Sequence, residues 1–326
     1  MGSLFSRRYA PLADLPDLHG KVIIVTGASA GIGKYTVLHL ARKGAKVYLA
    51  ARNESKTIGV IKELEIEGLG PGNGSLHYVN LNLSDPRSAK KSGQEFIQRE
   101  SRLDVLINNA GFVEEEYAKT KDGLGETIVA NFLSPFVYTN ALLPLLKSSA
   151  QEPDSDVRIV NVASSMHTFP PSKETVFDSS EALNNPFSNS RVGKMQRYGY
   201  SKLANILHIN ELQRRLDEEN VPITCISLHP GTIATPGVQK WFKNVFPFGG
   251  FSKVLAQWLC MTQEDGAITS AFAAGSTEVK NNRQMYKAAY LVPFGKFGTK
   301  SKDARDPQKA LDLWNTAERM IEELKL

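Results

Sequence analysis

The chain has 326 residues and a mass of 35.9 kDa, room for one large α/β domain or two smaller ones. Hydrophobic residues make up 41% and charged residues 22%, ordinary globular usage that excludes a disordered or fibrous chain. Lysine and arginine outnumber aspartate and glutamate by 39 to 34, a formal charge of +5. That suits an anionic ligand but is too small and scattered for a nucleic-acid surface.

Residues 1–20 read as an irregular arm punctuated by Pro11, Pro16 and Gly20. The arm has no apolar core of a signal peptide. Met1-Gly2-Ser3-Leu4-Phe5-Ser6 matches an N-myristoylation pattern, with Arg7 and Arg8 as a second membrane signal. The pattern is short, and a frayed chain start fits it as well. Cys225 and Cys260 are too few for a disulfide framework or a structural zinc site and fit a reducing compartment. The chain is therefore read as cytoplasmic, with membrane association through the N-terminus if Gly2 is acylated.

From residue 21 onward, strand and helix signals alternate. Val22–Val25 is a short apolar run, as expected of a buried parallel strand. A helix follows with Ile32, Val37, Leu38, Leu40 and Ala41 as apolar members and Gly44 at its end. Lys46–Ala50 reads as the second strand, Glu54–Glu67 as a helix and the glycine-rich 68–74 stretch as a loop. Leu76–Leu83 is the third strand, and Asp85-Pro86 starts a helix. Strands at Leu103–Asn108, Arg158–Ala163 and Val221–Leu228 alternate with helices at Gly125–Lys147 and Tyr198–Glu219. A helix near Gly266–Gly275, a strand near Gln284–Tyr290 and a closing helix with Leu311, Trp314, Ala317, Ile321 and Leu324 at helical spacing complete the chain. The pattern predicts an α/β fold with one doubly wound, Rossmann-type parallel sheet over residues 21–326. Its ligand crevice should lie at the C-terminal strand ends.

The first strand runs into Thr26-Gly27-Ala28-Ser29-Ala30-Gly31-Ile32-Gly33. Gly27 allows a tight turn, Gly31 lets backbone approach a pyrophosphate, and Gly33 lets the helix pack close to the strand. The helix N-terminus then offers unpaired N–H groups to phosphate. An NAD site carries an acidic residue about 20 residues past these glycines. Here the second strand ends in Ala50-Ala51-Arg52-Asn53. A guanidinium in place of a carboxylate suits a ribose 2′-phosphate, so the cofactor is read as NADP(H). Lys56, one turn later, adds charge nearby.

Tyr198 and Lys202 stand four apart, on one face of a predicted helix. A nearby ammonium favours phenolate, which predicts a lowered Tyr198 pKa. Such a tyrosine can exchange a proton with a substrate oxygen.

The glycine-rich loop, Asn108-Asn109-Ala110-Gly111, Asn131, Ser165, Tyr198/Lys202 and His229-Pro230-Gly231-Thr232 occur in an order that resembles the short-chain dehydrogenases/reductases over about residues 20–325. The Lys119–Gly123 and Ser201–Asn205 stretches and the Leu313-Trp314 helix make it most similar to the retinol-dehydrogenase-like branch. The resemblance implies that Tyr198 is the acid/base and that Lys202 binds the nicotinamide ribose. It implies that Ser165, rather than Ser164, hydrogen-bonds the substrate oxygen, and that Asn131 supports a proton-relay water. It places Asn109, Ala110 and Gly111 beside the adenosine ribose. Pro230, Gly231, Thr232, Ile233 and Thr235 would hold the nicotinamide end. Where the family often has aspartate against adenine, this chain has Asn82, which still offers hydrogen bonds.

Two segments bear on substrate. The 32 residues between Ser165 and Tyr198 read as a substrate lid or wall. The 237–261 stretch carries Trp241, Phe242, Val245, Phe246, Phe248, Phe251, Leu255, Trp258 and Leu259. It reads as a pocket wall for a bulky apolar substrate, as ordinary packing, or as membrane contact with Lys240, Lys243 and Lys253 at the interface. The leading expectation is an NADP(H)-dependent carbonyl/alcohol oxidoreductase acting on a retinoid-, steroid- or terpenoid-like compound. A cofactor-binding sensor or scaffold is the alternative. A sugar-nucleotide epimerase would share the tyrosine–lysine pair but should hold NAD, which Arg52 disfavours. The two long helices leave homodimer pairing open.

Overall fold

A computed structural model of the chain describes residues 9–114, 116–171, 173, 175–233 and 261–326. The acylation pattern, Thr235, Cys260 and the aromatic run from Trp241 to Leu259 lie outside the described residues.

A short helix α1 (Pro11–Asp14) precedes β1 (Val22–Thr26), α2 (Gly31–Ala41), β2 (Lys46–Ala51), α3 (Glu54–Glu67), β3 (Ser75–Asn80), α4 (Pro86–Arg99) and β4 (Val105–Asn108). Helix α5 (Glu126–Ile128) passes through a π-turn at Val129–Leu133 into α6 (Ser134–Ala150). Then come β5 (Val157–Val162), a 3₁₀ turn (Ser165–Thr168), α7 (Ser180–Leu183), α8 (Arg191–Glu218) and β6 (Ile223–Leu228). Helices α9 (Gln263–Gly275), α10 (Thr277–Asn281) and α11 (Arg283–Tyr286), strands β7 (Ala289–Val292) and β8 (Lys296–Phe297), and α12 (Pro307–Glu323) follow.

The sheet order is β3-β2-β1-β4-β5-β6-β7-β8. All pairings are parallel except β7 with β8. β1, β5 and β6 are buried along their whole length, because helices cover both faces and leave no solvated side for a polar alternation. One core lies under α4, α5–α6, α8 and α12, and the other under α2, α3 and α9. Leu15 and Leu18 of the N-terminal arm are buried in the second core. β1 pairs with β2 on one side and β4 on the other. This is the point where strand order reverses, and a crevice opens beyond the strand ends there.

Two expectations change. Gln284–Tyr286 is helical rather than strand, because α11 brings the chain back to the sheet and β7 starts only at Ala289. Helix α8 begins at Arg191, seven residues before Tyr198, with Ser190 Oγ accepting from Gly193 N–H at its cap. The 126–150 stretch is apolar enough to cross a membrane, yet most of it is buried in this core.

Candidate active site

The first turn of the site follows β1. Gly27 has φ +65°, and a Cβ there would stand 2.8 Å from Ala110 Cα. A Cβ on Gly33 would stand 2.6 Å from Asn109 Nδ2. These two glycines let the β1 turn and the β4 turn touch. The contact is fixed by Asn109 Nδ2 donating to Thr26 O (2.8 Å) and Ala110 N–H donating to Thr26 Oγ1 (3.0 Å). Gly31, at φ +60°, has open space where its Cβ would be. No side chain caps α2 at Ala30, so its first N–H groups face the crevice unpaired. The cradle fits an extended phosphorylated ligand.

The crevice has a volume of about 680 Å³. Its walls include Gly27, Ser29, Gly31, Ile32, Gly33, Arg52, Asn82, Asn109, Ala110 and Gly111, and also Leu81, Leu83, Ser84, Phe112, Glu126 and Ala130. A second recess shares Arg52 and adds Asn53, Glu54 and Ser55. Lys56 lines neither recess. It enters as the third residue of α3, where its N–H bonds Asn53 Oδ1 (2.9 Å), and it is exposed. The start of α3 at Asn53 and Ser55 thus flanks Arg52.

Gly111 joins the crevice to the reactive groups. A Cβ there would lie 2.8 Å from Lys202 Nζ and 3.4 Å from Asn131 Oδ1. Asn131 sits in the π-turn, a geometry common at functional positions. Its side chain clamps the backbone of Phe112: Oδ1 accepts from Phe112 N–H (3.0 Å) and Nδ2 donates to Phe112 O (2.9 Å) and Ser201 Oγ (3.0 Å). Lys202 is buried, donates to Val162 O at 2.8 Å and lies 5.6 Å from the Tyr198 ring centroid. Burial without a carboxylate partner pushes its pKa down to about 8.

Two site expectations are corrected. The serine beside Tyr198 is Ser164, not Ser165. Ser164 is buried, the turn it caps packs on α8 where a Cβ on Gly199 would stand 2.4 Å from Met166 O, and its side chain is the one that pulls the Tyr198 pKa down. Ser165, one residue on, opens the 3₁₀ turn and is exposed. The expected lowering of the Tyr198 pKa is also reversed. Burial pushes the phenol above the usual tyrosine range, with the Ser164 hydrogen bond pulling the other way. Tyr198 is thereby held in its protonated form, poised to donate.

Pro230, Gly231, Thr232 and Ile233 follow β6 but line neither recess. Thr232 O accepts from Met261 N–H at 2.8 Å, and Ile233 pairs with Met261. Gly266 of α9 lies against both Ile233 and Ile32, so the loops after β6 and β1 meet over one glycine.

The segment between Ser165 and Tyr198 packs as a wall. Phe177 stacks on Tyr200 with centroids 4.6 Å apart and planes at 14°. Tyr200 Oη donates to Ala182 O (3.0 Å) and Val176 O (2.5 Å). Arg197 forms a buried ion pair with Glu114 and donates to Pro186 O (2.7 Å) and Ser188 O (2.9 Å). Sequence reasoning sets Ser164 aside in favour of Ser165 and does not single out Tyr200 or Arg197. Tyr200 lies within the Tyr198–Lys202 stretch, whereas nothing local marks Arg197.

Comparison with known proteins places this site in context. Residues 21–190 match the family model described as short chain dehydrogenase. A short-chain dehydrogenase/reductase of Armillaria gallica is 43% identical over 323 residues, covering 99% of this chain and 99% of that protein. Retinol dehydrogenase 14 of Homo sapiens is 34% identical, covering 94% of this chain and 88% of that protein. The crystal structure of an uncharacterized protein from Mycobacterium paratuberculosis matches with a TM-score of 0.69 at 27% identity, over 97% of this chain and 98% of that one.

Proposed function

The chain belongs to the short-chain dehydrogenase/reductase family, on a retinol-dehydrogenase-like branch, and from that premise we propose that it is an NADP(H)-dependent oxidoreductase of bulky apolar carbonyls and alcohols. The observation that carries the reading is the continuity at Gly111. One side of this glycine is crevice wall, and the other meets Lys202 and Asn131, with Tyr198 and Ser164 beyond.

A bound nicotinamide nucleotide supplies or accepts the hydride. The chain's own residues manage binding and the proton. The Gly27–Gly33 loop and the start of α2 hold the diphosphate, and Arg52 with the start of α3 holds the 2′-phosphate. Asn131 holds the Phe112 backbone, which keeps Gly111 open beside Lys202. In reduction, negative charge develops on the substrate oxygen. Ser164 donates a hydrogen bond to it and Tyr198 delivers its phenolic proton. In oxidation the same phenol returns as phenolate, with the Lys202 ammonium beside it to offset the charge.

The apolar substrate class draws support from the aromatic run between Trp241 and Leu259 directly after the β6 loop. The packed Phe177–Tyr200 wall in the segment before Tyr198 agrees with it. A membrane surface as second contact follows from the same aromatic run and its three lysines.

The test is titration with NADPH and NADH by nicotinamide fluorescence, followed by a panel of all-trans-retinal, a ketosteroid and a terpenoid aldehyde. NADPH should bind more tightly, and a panel member should oxidise it. Tyr198→Phe should lower turnover by about 10²–10⁴-fold with NADPH binding retained. Unchanged turnover in that variant removes Tyr198 from the mechanism. Tight NADPH binding with no turnover on any carbonyl favours the sensor.

A further inference from the structure

The turn that carries Ser164 continues into a histidine whose ring is engaged on both sides. His167 is 3% exposed. Its Nδ1 lies 2.7 Å from the carbonyl oxygen of Ser164. Its Nε2 lies 3.1 Å from the backbone nitrogen of Ser301. A carbonyl only accepts and a backbone N–H only donates, so the neutral ring must carry its proton on Nδ1 and its lone pair on Nε2. The hydroxyl of Ser164 caps the same turn by accepting from Met166 N–H at 3.1 Å. Ser164 is therefore held at its carbonyl by both the ring and the backbone N–H (3.1 Å) of His167 and at its hydroxyl by the turn, and this turn packs on α8 beside Tyr198, where a Cβ on Gly199 would stand 2.4 Å from Met166 O.

The other end of the link is firmly anchored. Ser301 lies between β8 and α12, and its Oγ accepts from Ala304 N–H at 3.1 Å. The preceding Lys300 donates to Asn210 Oδ1 of α8 and to Ala288 O before β7, both at 2.5 Å. Tyr290 of β7 packs its ring 5.0 Å from the His167 ring at 67°. His229 after β6 and Lys300 are the other titratable groups facing it.

We propose that His167 is a positioning residue for the reaction: its Nδ1–H sets the Ser164 peptide so that the hydroxyl meets Tyr198, and its Nε2 ties that setting to the C-terminal segment at Ser301. The proposal rests on the reading of Ser164 as the donor to the substrate oxygen. His167 itself makes no contact with Tyr198 or Lys202 that would give it a proton-transfer role. It acts through the serine.

The two halves of the ring can be separated. In His167→Asn, the amide N–H₂ falls near the place of Nδ1 and can still donate to Ser164 O. In His167→Gln, the amide oxygen falls near the place of Nε2 and can accept from Ser301, but the side-chain bond to Ser164 O is lost and only the backbone N–H of residue 167 still donates to that carbonyl. NADPH oxidation is followed with the most active carbonyl of the panel above, alongside NADPH affinity and thermal midpoint. H167N should keep kcat within about threefold. H167Q should lose about 10–10²-fold in kcat, the size of effect a misplaced catalytic group produces, with NADPH affinity unchanged. In a Ser164→Ala background H167Q should add no further loss, because the two changes act on one group. Equal falls in kcat for H167N and H167Q, or an H167Q effect that persists in full without the Ser164 hydroxyl, overturn the proposal. Ser164→Ala with normal turnover instead overturns the serine assignment on which it rests. The wild-type protein offers a variant-free check. ¹⁵N-histidine NMR should show His167 as the Nδ1–H tautomer, and an Nε2–H tautomer ends the argument.

Discussion

Ser164 takes an extended conformation at φ −160° and ψ 156° just beyond β5, and Ser165 then opens the 3₁₀ turn. The last strand residues alternate faces, so one step along the chain exchanges a buried donor for an exposed hydroxyl. Sequence could narrow the choice to a Ser-Ser pair and no further, because both residues have the same chemistry. Replacing Ser164 by alanine should lower kcat by about 10²–10³-fold, as for the loss of one donor to a developing oxyanion. Ser165→Ala should stay near wild type in the same assay, and a reversed ranking would restore the original choice. Arg52 belongs to this scale too. It lines both recesses and is exposed, which suits a ligand charge better than a protein partner. Arg52→Ala should weaken NADPH by about 10–100-fold, the worth of charge-assisted hydrogen bonds, and leave NADH affinity nearly unchanged. Equal losses for the two nucleotides would mean that Arg52 does not read the 2′-phosphate.

At the scale of elements, the central strands and the α2 and α3 helices were legible from short apolar runs and capping residues. Asp85-Pro86 marked the start of α4, with Asp85 Oδ1 accepting from Arg87 N–H at 3.0 Å. The start of α8 was not legible, because Arg191–Arg197 is polar and its buried contacts come from distant residues such as Glu114. Gln284–Tyr286 misled for a related reason. Tyr286 is buried by packing against Phe272 and Phe297 rather than by a place in the sheet. The wall between Ser165 and Tyr198 depends on the stacked Phe177 and Tyr200. Phe177→Ala should cost about 3–5 kcal/mol in urea unfolding, as for other buried aromatic truncations. Tyr200→Phe should cost about 1–3 kcal/mol, since it leaves the Val176 and Ala182 carbonyls without their donor. Values near zero for both would mean that the segment does not depend on this anchor.

At the scale of the whole molecule, the two long helices pack against the closing helix of the same chain. Trp314 of α12 packs 4.9 Å from Phe136 of α6 and 5.8 Å from His208 of α8. Packing around the sheet also desolvates titratable groups, His208 among them beside Trp314. Desolvation pushes His208 down to about 3 and His39 and His229 to about 4. The folded state keeps these rings neutral, whereas the unfolded chain takes up protons near pH 6.5. Stability should therefore be full above about pH 6.5 and fall as pH drops toward 4, with His208 alone contributing a slope of about 1.4 kcal/mol per pH unit. Urea midpoints at pH 7.5 and 5.5 check this, and a flat profile would contradict buried neutral histidines.

The sequence by itself determined the α/β class, the glycine turn after β1 and the Tyr198/Lys202 spacing. Each of these rests on local backbone freedom or helical periodicity, which neighbours along the chain define. Tertiary structure decided which serine meets Tyr198, that burial rather than Lys202 sets the direction of its pKa, and that Lys56 stays out of the crevice. Those outcomes depend on solvent exclusion and on contacts between residues far apart in the chain. The bond from His167 to Ser301 spans 134 positions, and no local pattern could encode it.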